Sequence, residues 1–137
     1  MSQIHQLGEL QLAIMKVLWS RQEATVGEVH AALHDERGLA LTTISTMLVK
    51  MEQKGVLGHR SEGRRFIYYP LISEPEVRRT MVGELTERLF HGDVTALVSH
   101  LISHHEVDAD ELTRLKALIT AHENNESKQN KNQGGGK

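Results

Sequence analysis

The side chains best suited to chemistry in this sequence lie on one face of a helix predicted between Thr42 and Gly55. Ile44, Leu48 and Met51 recur at helical spacing and form its apolar side. The opposite side combines hydroxyls, small apolar groups and one cation, without any acid: Thr42, Thr43, Thr46, Val49, Lys50 and Gln53. Hydroxyls bond to phosphates and base edges, methyl groups contact the thymine methyl, and lysine reaches phosphate. This face therefore predicts contact with a groove of duplex DNA, since a solvated face would mix Glu and Lys.

A basic hairpin is predicted directly after this helix. Two short apolar segments, the second at Phe66–Tyr69, flank a stretch that contains Gly63 and the three arginines Arg60, Arg64 and Arg65. Residues 41–70 hold five Lys or Arg against two Asp or Glu. A helix followed by a basic hairpin is typical of a winged helix-turn-helix, in which both parts contact DNA.

Histidines late in the chain raise the question of a metal site. His100 and His104 are four residues apart on a predicted helix, a spacing that can place two imidazoles on one metal ion, and Glu106 is near. Two ligands fall short of the usual three or four, so solvated histidines are the favoured interpretation and a metal ion is the alternative. No cofactor is expected.

An enzyme is the least favoured class. His59, Ser61 and Glu62 resemble catalytic parts, but they lie near the tip of the predicted hairpin, where a nucleophile would lack orienting groups. The remaining sequence shows no pair of carboxylates, metal triad or activated nucleophile in a suggestive spacing.

Two further helices are predicted before the recognition face. The first covers about residues 7–19, and the second begins at a capping box formed by Thr25 and Glu28. Gly38 and Gly55 are expected to end the second and third helices. Pro70 and the following proline bracket residues 71–74, where we place the end of a winged-helix DNA-binding domain of residues 1–73.

Residues 74–123 are predicted to form a helical dimerisation region. Its apolar stripes comprise Val77, Met81, Leu85, Leu89, Leu97, Leu101, Leu112, Leu115 and Leu118. A unit of this size with few aromatic residues is too small to be comfortably stable alone, so it either folds back on the winged helix or pairs with a second chain. Pairing is favoured, because it places two recognition helices on one duplex. Residues 124–137 are predicted to be a disordered polar tail.

Composition and charge limit the classes of protein to which this chain can belong. The chain has 137 residues and no Cys, which excludes disulfides and thiolate metal sites. Its apolar runs are too short to cross a bilayer and no signal peptide is evident, so we expect no membrane insertion and a cytoplasmic location. The formal net charge is −2, but residues 41–70 carry +3 and residues 74–126 carry −6. A basic front half and an acidic rear half point to different tasks.

The order of these motifs resembles the penicillinase-repressor (BlaI/MecI/CopY) group of bacterial transcription factors. The resemblance rests on LGELQLAIMKVLW at 7–19, TVGEVHAAL at 25–33, TTISTMLVKMEQKGVL at 42–57, EGRRFIYYP at 62–70 and LFHGDVTALVSHL at 89–101. It implies a mainly α fold with a small β-hairpin wing: an N-terminal winged helix-turn-helix, a C-terminal helical dimerisation region, and repression at a palindromic operator. By position, it assigns Thr42, Thr43, Thr46 and Lys50 to the recognition helix and Arg64 and Arg65 to the wing.

The chain departs from that group at two places. Members governed by a β-lactam sensor are cut at an asparagine–phenylalanine bond in the dimerisation region, where this chain has His100-Leu101. Copper-responsive members end in a paired cysteine motif, which is missing here. The resemblance therefore supports the repressor role and leaves the inducing signal open, with a membrane sensor protease as one partner it suggests.

Two classes of function follow from the sequence. The first is a homodimeric repressor that binds a double-stranded DNA operator. The second is a winged-helix module that binds a protein partner without sequence-specific DNA binding. The basic charge of residues 41–70 favours the first, because an acid-free face is unnecessary for most protein partners.

Overall fold

The computed structural model describes residues 7–135, with side chains as far as residue 128. The chain divides between Gly92 and Asp93 into two compact units. Unit 1 contains seven elements: α1 (Glu9–Arg21), β1 (Ala24–Thr25), α2 (Val26–Arg37), α3 (Leu41–Gln53), β2 (Leu57–Glu62), β3 (Arg65–Pro70) and α4 (Glu74–Phe90). Unit 2 contains α5 (Val94–His104) and α6 (Ala109–Gly135).

The helices of unit 1 begin and end at the residues that local chemistry favours. Thr25 Oγ1 accepts from the Glu28 amide at 3.2 Å, and a Glu28 carboxylate oxygen accepts from the Thr25 amide at 2.8 Å, as the predicted capping box requires. Gly38, at φ +59°, ends α2, and Gly55, at φ +84°, follows α3. Both positions require the left-handed conformation that glycine adopts without strain.

The three strands form an antiparallel sheet in the order β1-β3-β2. The hairpin β2–β3 is the predicted wing, with Glu62 opposite Arg65 at its tip. The two-residue strand β1 pairs with β3 through Ala24 and Thr25. β1 is absent from the sequence prediction, because two residues carry no recognisable alternation.

One apolar core holds unit 1 together. Its fully buried side chains come from α1, α2, α3 and the start of the wing: Ile14, Met15, Leu18, Val29, Ile44, Leu48, Met51, Val56 and Leu57. Burying a large aliphatic side chain stabilises a fold by roughly 1.5–3 kcal/mol, so this cluster fixes how α3 sits against the other helices.

Helix α4 also packs into this core. The division between the units therefore lies after α4, and not at residues 71–74 where the sequence predicts a junction. Ile72 and Val77 are 7% and 2% exposed within the core, and Met81 packs against it. The indole N–H of Trp19 donates to the Ile72 carbonyl oxygen at 2.9 Å and ties this segment to α1. The two prolines therefore separate a strand from a helix rather than two units. Val77, predicted for dimerisation, is a core residue of its own chain.

Unit 2 consists of two capped helices. Asp93 accepts from the Ala96 amide at 3.0 Å, and Asp108 accepts from the Glu111 amide at 2.8 Å. Helix α6 continues to Gly135, so residues 124–135 of the predicted disordered tail are helical, while residues 136–137 lie outside the description. Extending an existing helix needs no new nucleus, so this segment continues α6 even though it contains the weak helix formers Asn and Gly.

Candidate nucleic-acid interface

Helix α3 presents two chemically distinct faces. Ile44, Leu48 and Met51 are at most 1% exposed and bind α3 to the core. The predicted recognition face lies outside: Thr42, Thr43, Thr46, Val49, Lys50 and Gln53 are all exposed. Within residues 7–128, none of these six side chains is engaged in a hydrogen bond or ion pair. Their donors and acceptors are thus available to an external ligand.

The turn between α2 and α3 is held by a histidine. His30 Nε2 lies 2.9 Å from the Leu39 carbonyl oxygen, nine residues further along the chain. On the other side, the Gln11 side-chain amide contacts Met47 Sδ at 3.5 Å and links α1 to α3. These contacts orient the first turn of α3, which carries Thr42 and Thr43.

The wing presents two exposed guanidinium groups. Gly63, at φ +61°, lets the chain reverse between β2 and β3. Arg64 and Arg65 follow it, both are exposed, and neither forms an ion pair within 4 Å with any described side chain, although Arg65 is near enough for its charge to contribute, after the Thr25 and Arg21 contacts, to lowering the pKa of Glu28. With Phe66 they line an open groove of about 430 Å³ against Thr25, Val26 and Gly27 at the start of α2.

Arg60 is placed differently from the two arginines with which the sequence groups it. Its guanidinium donates to both carboxylate oxygens of Glu23, at 2.7 and 2.9 Å, and to Glu62 at 2.8 and 3.1 Å. The hydrogen bond from Arg60 lowers the pKa of Glu23, and hydrogen bonds to Glu23 and Glu62 raise the pKa of Arg60. Its charge is therefore already compensated by this chain.

A contact through His59 joins α3 to the wing. His59 Nδ1 lies 2.8 Å from both carboxylate oxygens of Glu52, near the end of α3. The imidazole packs on Phe66 and Tyr68, with ring centroids 4.5 and 5.5 Å apart. Burial, together with the Glu52 charge, raises the pKa of Tyr68. These residues orient the wing relative to α3, and sequence reasoning missed this role.

The residues predicted for dimerisation, apart from Val77, are partly or largely exposed. Leu85, Leu89, Leu101, Leu115 and Leu118 are 42, 68, 43, 36 and 66% exposed, and Met81, Leu97 and Leu112 are half-buried. Val94, Val98, Ile102 and Ile119 add to the apolar surface of unit 2. Within unit 1, Leu7, Met81, Leu85 and Leu89 line a groove of about 500 Å³, with Glu84 and Arg88 beside them.

The late histidines lie together without a complete ligand set. The rings of His100 and His104 are 4.6 Å apart, and His105 is 6.1 Å from His100. Across the part of the chain that the structure describes, no group of three His, Asp or Glu side chains is arranged to hold a metal ion. The same part of the chain has no helix both long and apolar enough to cross a membrane.

Comparison with known proteins identifies the family. The penicillinase repressor family model matches residues 7–121. The chain is 34% identical to the transcriptional regulator BlaI of Mycobacterium tuberculosis, over 87% of this chain and 86% of the relative. It is 28% identical to the penicillinase repressor of Bacillus licheniformis, over 90% of this chain and 97% of the relative.

Solved structures show a similar likeness for part of the chain. The solution structure of the DNA-binding domain of the repressor BlaI is 38% identical and covers 54% of this chain and 90% of its own, with a TM-score of 0.48. The CopR repressor structure is 36% identical and covers 49% of this chain and 97% of its own, with a TM-score of 0.43. Because the family model spans both units, the chain belongs to the penicillinase repressor family, a family of winged-helix, DNA-binding transcriptional repressors rather than enzymes.

Proposed function

We propose that this repressor binds a two-fold symmetric operator as a homodimer, with α3 in the major groove and the wing on the sugar-phosphate backbone. The observation that carries the proposal is the exposed, acid-free face of α3, together with two exposed arginines of the wing. Nucleic acid repels carboxylates, so a face without them suits a duplex.

The side chains of this face suit base recognition. Thr42, Thr43 and Thr46 offer hydroxyls to base edges and phosphates, and their methyl groups fit the thymine methyl. Val49, 44% exposed, adds a second apolar contact of this kind. Lys50 lies one turn beyond Thr46 and reaches either a guanine edge or a phosphate.

The wing supplies contacts that do not depend on sequence. Arg64 and Arg65 lie at the groove against the start of α2. A phosphate there would meet two guanidinium groups, which bind phosphate oxygens with paired hydrogen bonds. We therefore assign backbone contacts to the wing and specificity to α3.

Pairing of two chains through unit 2 would let the few DNA contacts of each chain give tight operator binding. One recognition helix and one wing neutralise few phosphates, so a single half-site binds weakly. Linking two half-sites makes the second binding event intramolecular and raises overall affinity without new contacts. The exposed apolar residues of α5 and α6 supply the surface for this pairing, and the proposed location is the cytoplasm, where the operator is.

Release from the operator is proposed to use a route other than the bond cleaved in members governed by a β-lactam sensor. The corresponding bond, His100-Leu101, lies in α5. A protease pocket selective for asparagine before phenylalanine would lose both its amide contacts and its aromatic filling here. A membrane sensor protease is a candidate partner because of the family resemblance, and a gene for one beside this gene would support it.

The test is a titration of the full chain with duplexes from the promoter of its own operon and with random duplexes, at two salt concentrations. We expect a clear preference for a promoter fragment. Replacing Thr43 or Thr46 with Ala should cost about 1–3 kcal/mol on that fragment and little on random DNA. Thr95→Ala in α5 is the matched control and should change neither. If the α3 variants keep the full preference, the assignment of α3 as the recognition helix is wrong.

A further inference from the structure

The contacts of Arg60 indicate a role different from that of its neighbours in the wing. We propose that Arg60 is a positioning residue that braces the wing through Glu23 and Glu62, and that Arg64 and Arg65 alone carry the phosphate contacts of the wing. This inference rests on the proposed DNA-binding function and specifies which residues of the wing perform it.

The geometry is that of a brace between distant segments. Glu23 precedes β1, and Arg60 lies on β2, 37 residues later. Since the strand order is β1-β3-β2, the two edge strands are joined through β3, and the ion pair spans the sheet from one edge to the other. Two parallel N–H···O contacts to Glu23 form the fork that gives arginine–carboxylate pairs their directional preference.

The contact between His59 and Glu52 fixes the wing on the side of α3, but on the side of β1 little besides the ion pair does so. β1 contributes only two residue pairs to β3. The hairpin beyond them projects from the core, with residues 60 to 66 all exposed. Without the ion pair, the wing of the unbound protein could tilt about β3, and binding would have to restore the same phosphate contacts at a cost in free energy.

The charges argue against a phosphate contact by Arg60. All three of its guanidinium nitrogens already donate to carboxylates. The cluster of Glu23, Arg60 and Glu62 has a formal net charge of −1 and would repel a phosphate. Turning Arg60 towards DNA would also leave two carboxylates unpaired near the duplex.

A double-mutant cycle on the full chain tests the brace. We expect Glu23→Gln and Arg60→Gln each to weaken operator binding about fivefold per half-site, and the double variant to be no weaker than the weaker-binding single variant. Arg60→Lys should be as weak as Arg60→Gln, because lysine cannot form the paired contact. The salt dependence should stay unchanged in all of them.

Arg64→Gln is the matched control and should lower the salt slope by about one phosphate contact per chain. A direct phosphate contact by Arg60 predicts a different pattern: Glu23→Gln would strengthen binding, Arg60→Lys would be tolerated, and Arg60→Gln would flatten the salt slope as Arg64→Gln does. Any of these results would overturn the brace.

A second measurement separates this inference from the proposed function. Urea unfolding of the unaltered protein, the two single variants Glu23→Gln and Arg60→Gln, and the double variant should show that the two effects on the free energy of unfolding are not additive. Additive effects would refute the brace even if the operator is bound. If the two substitutions are energetically coupled but the protein shows no preference for the operator, the brace is supported and the DNA-binding proposal is refuted instead.

Discussion

The two units of this chain contrast in what they bury. All of the buried apolar residues that the structure describes lie between Leu7 and Val77 in unit 1, whereas residues 93–128 of unit 2 contain no buried side chain. Yet α5 is rich in apolar residues, with Val94, Val98 and Leu101 each at least 39% exposed. Unit 1 forms an apolar core within one chain and leaves Leu85 and Leu89 of α4 exposed, whereas the described part of unit 2 forms no such core, which is expected of a surface that pairs with a second copy.

Charge divides along a different line from the two units, because the acidic segment begins in α4, which belongs to unit 1. Residues 41–70, which hold α3 and the wing, carry a net charge of +3, and residues 74–126 carry −6. A duplex attracts the first segment and repels the second. Under the proposed function, the basic segment contacts DNA and the exposed apolar residues further along the chain form the dimer, so each part can be disturbed separately.

The largest effect on stability is expected in the core of unit 1. Leu48 is fully buried between α3 and the other helices, so Leu48→Ala should lower the free energy of unfolding by about 2–5 kcal/mol through lost burial and a cavity. Chemical denaturation followed by circular dichroism measures this change. Leu118→Ala, at a residue that is 66% exposed in the single chain, is the comparison. An equal loss at dilutions where the chain is monomeric would show that unit 2 has its own core.

A smaller effect is expected from a charge on the apolar side of α6. Leu118→Glu should raise the dissociation constant of the homodimer by about tenfold or more, since burying a carboxylate without a partner is unfavourable. Ala117→Glu adds the same charge to an exposed position on the other side of α6 and should leave the dimer intact. Sedimentation equilibrium compares the two, and equal behaviour would place the pairing surface elsewhere.

The sequence predicts the helix α3, the hairpin and the capping box, because those features depend on local chemistry. The spacing of Ile44, Leu48 and Met51 defines the buried side of α3, and Thr25 with Glu28 defines the start of α2. Each signal lies within about four turns of helix, where periodicity and capping rules apply.

The parts that sequence reasoning missed depend on contacts between distant residues. Nothing local indicates that Glu23 pairs with Arg60, or that Trp19 donates to the Ile72 carbonyl oxygen 53 residues away. The first contact removes Arg60 from the set of free arginines, and the second attaches the start of α4 to unit 1. Val77 belongs to a predicted apolar stripe and is buried within its own chain, because helical periodicity identifies such a stripe but not its partner.

The proposal that unit 1 binds DNA and unit 2 forms the dimer is tested most directly by comparing the full chain with residues 1–92. The shorter protein retains the core, α3 and the wing, and it ends where the two units divide. We predict that it is folded and monomeric by light scattering, that the full chain is a dimer, and that removing unit 2 weakens operator binding by about 10²–10⁴-fold. A full chain that is monomeric at micromolar concentration, or a shorter protein that binds the operator equally well, would contradict the account.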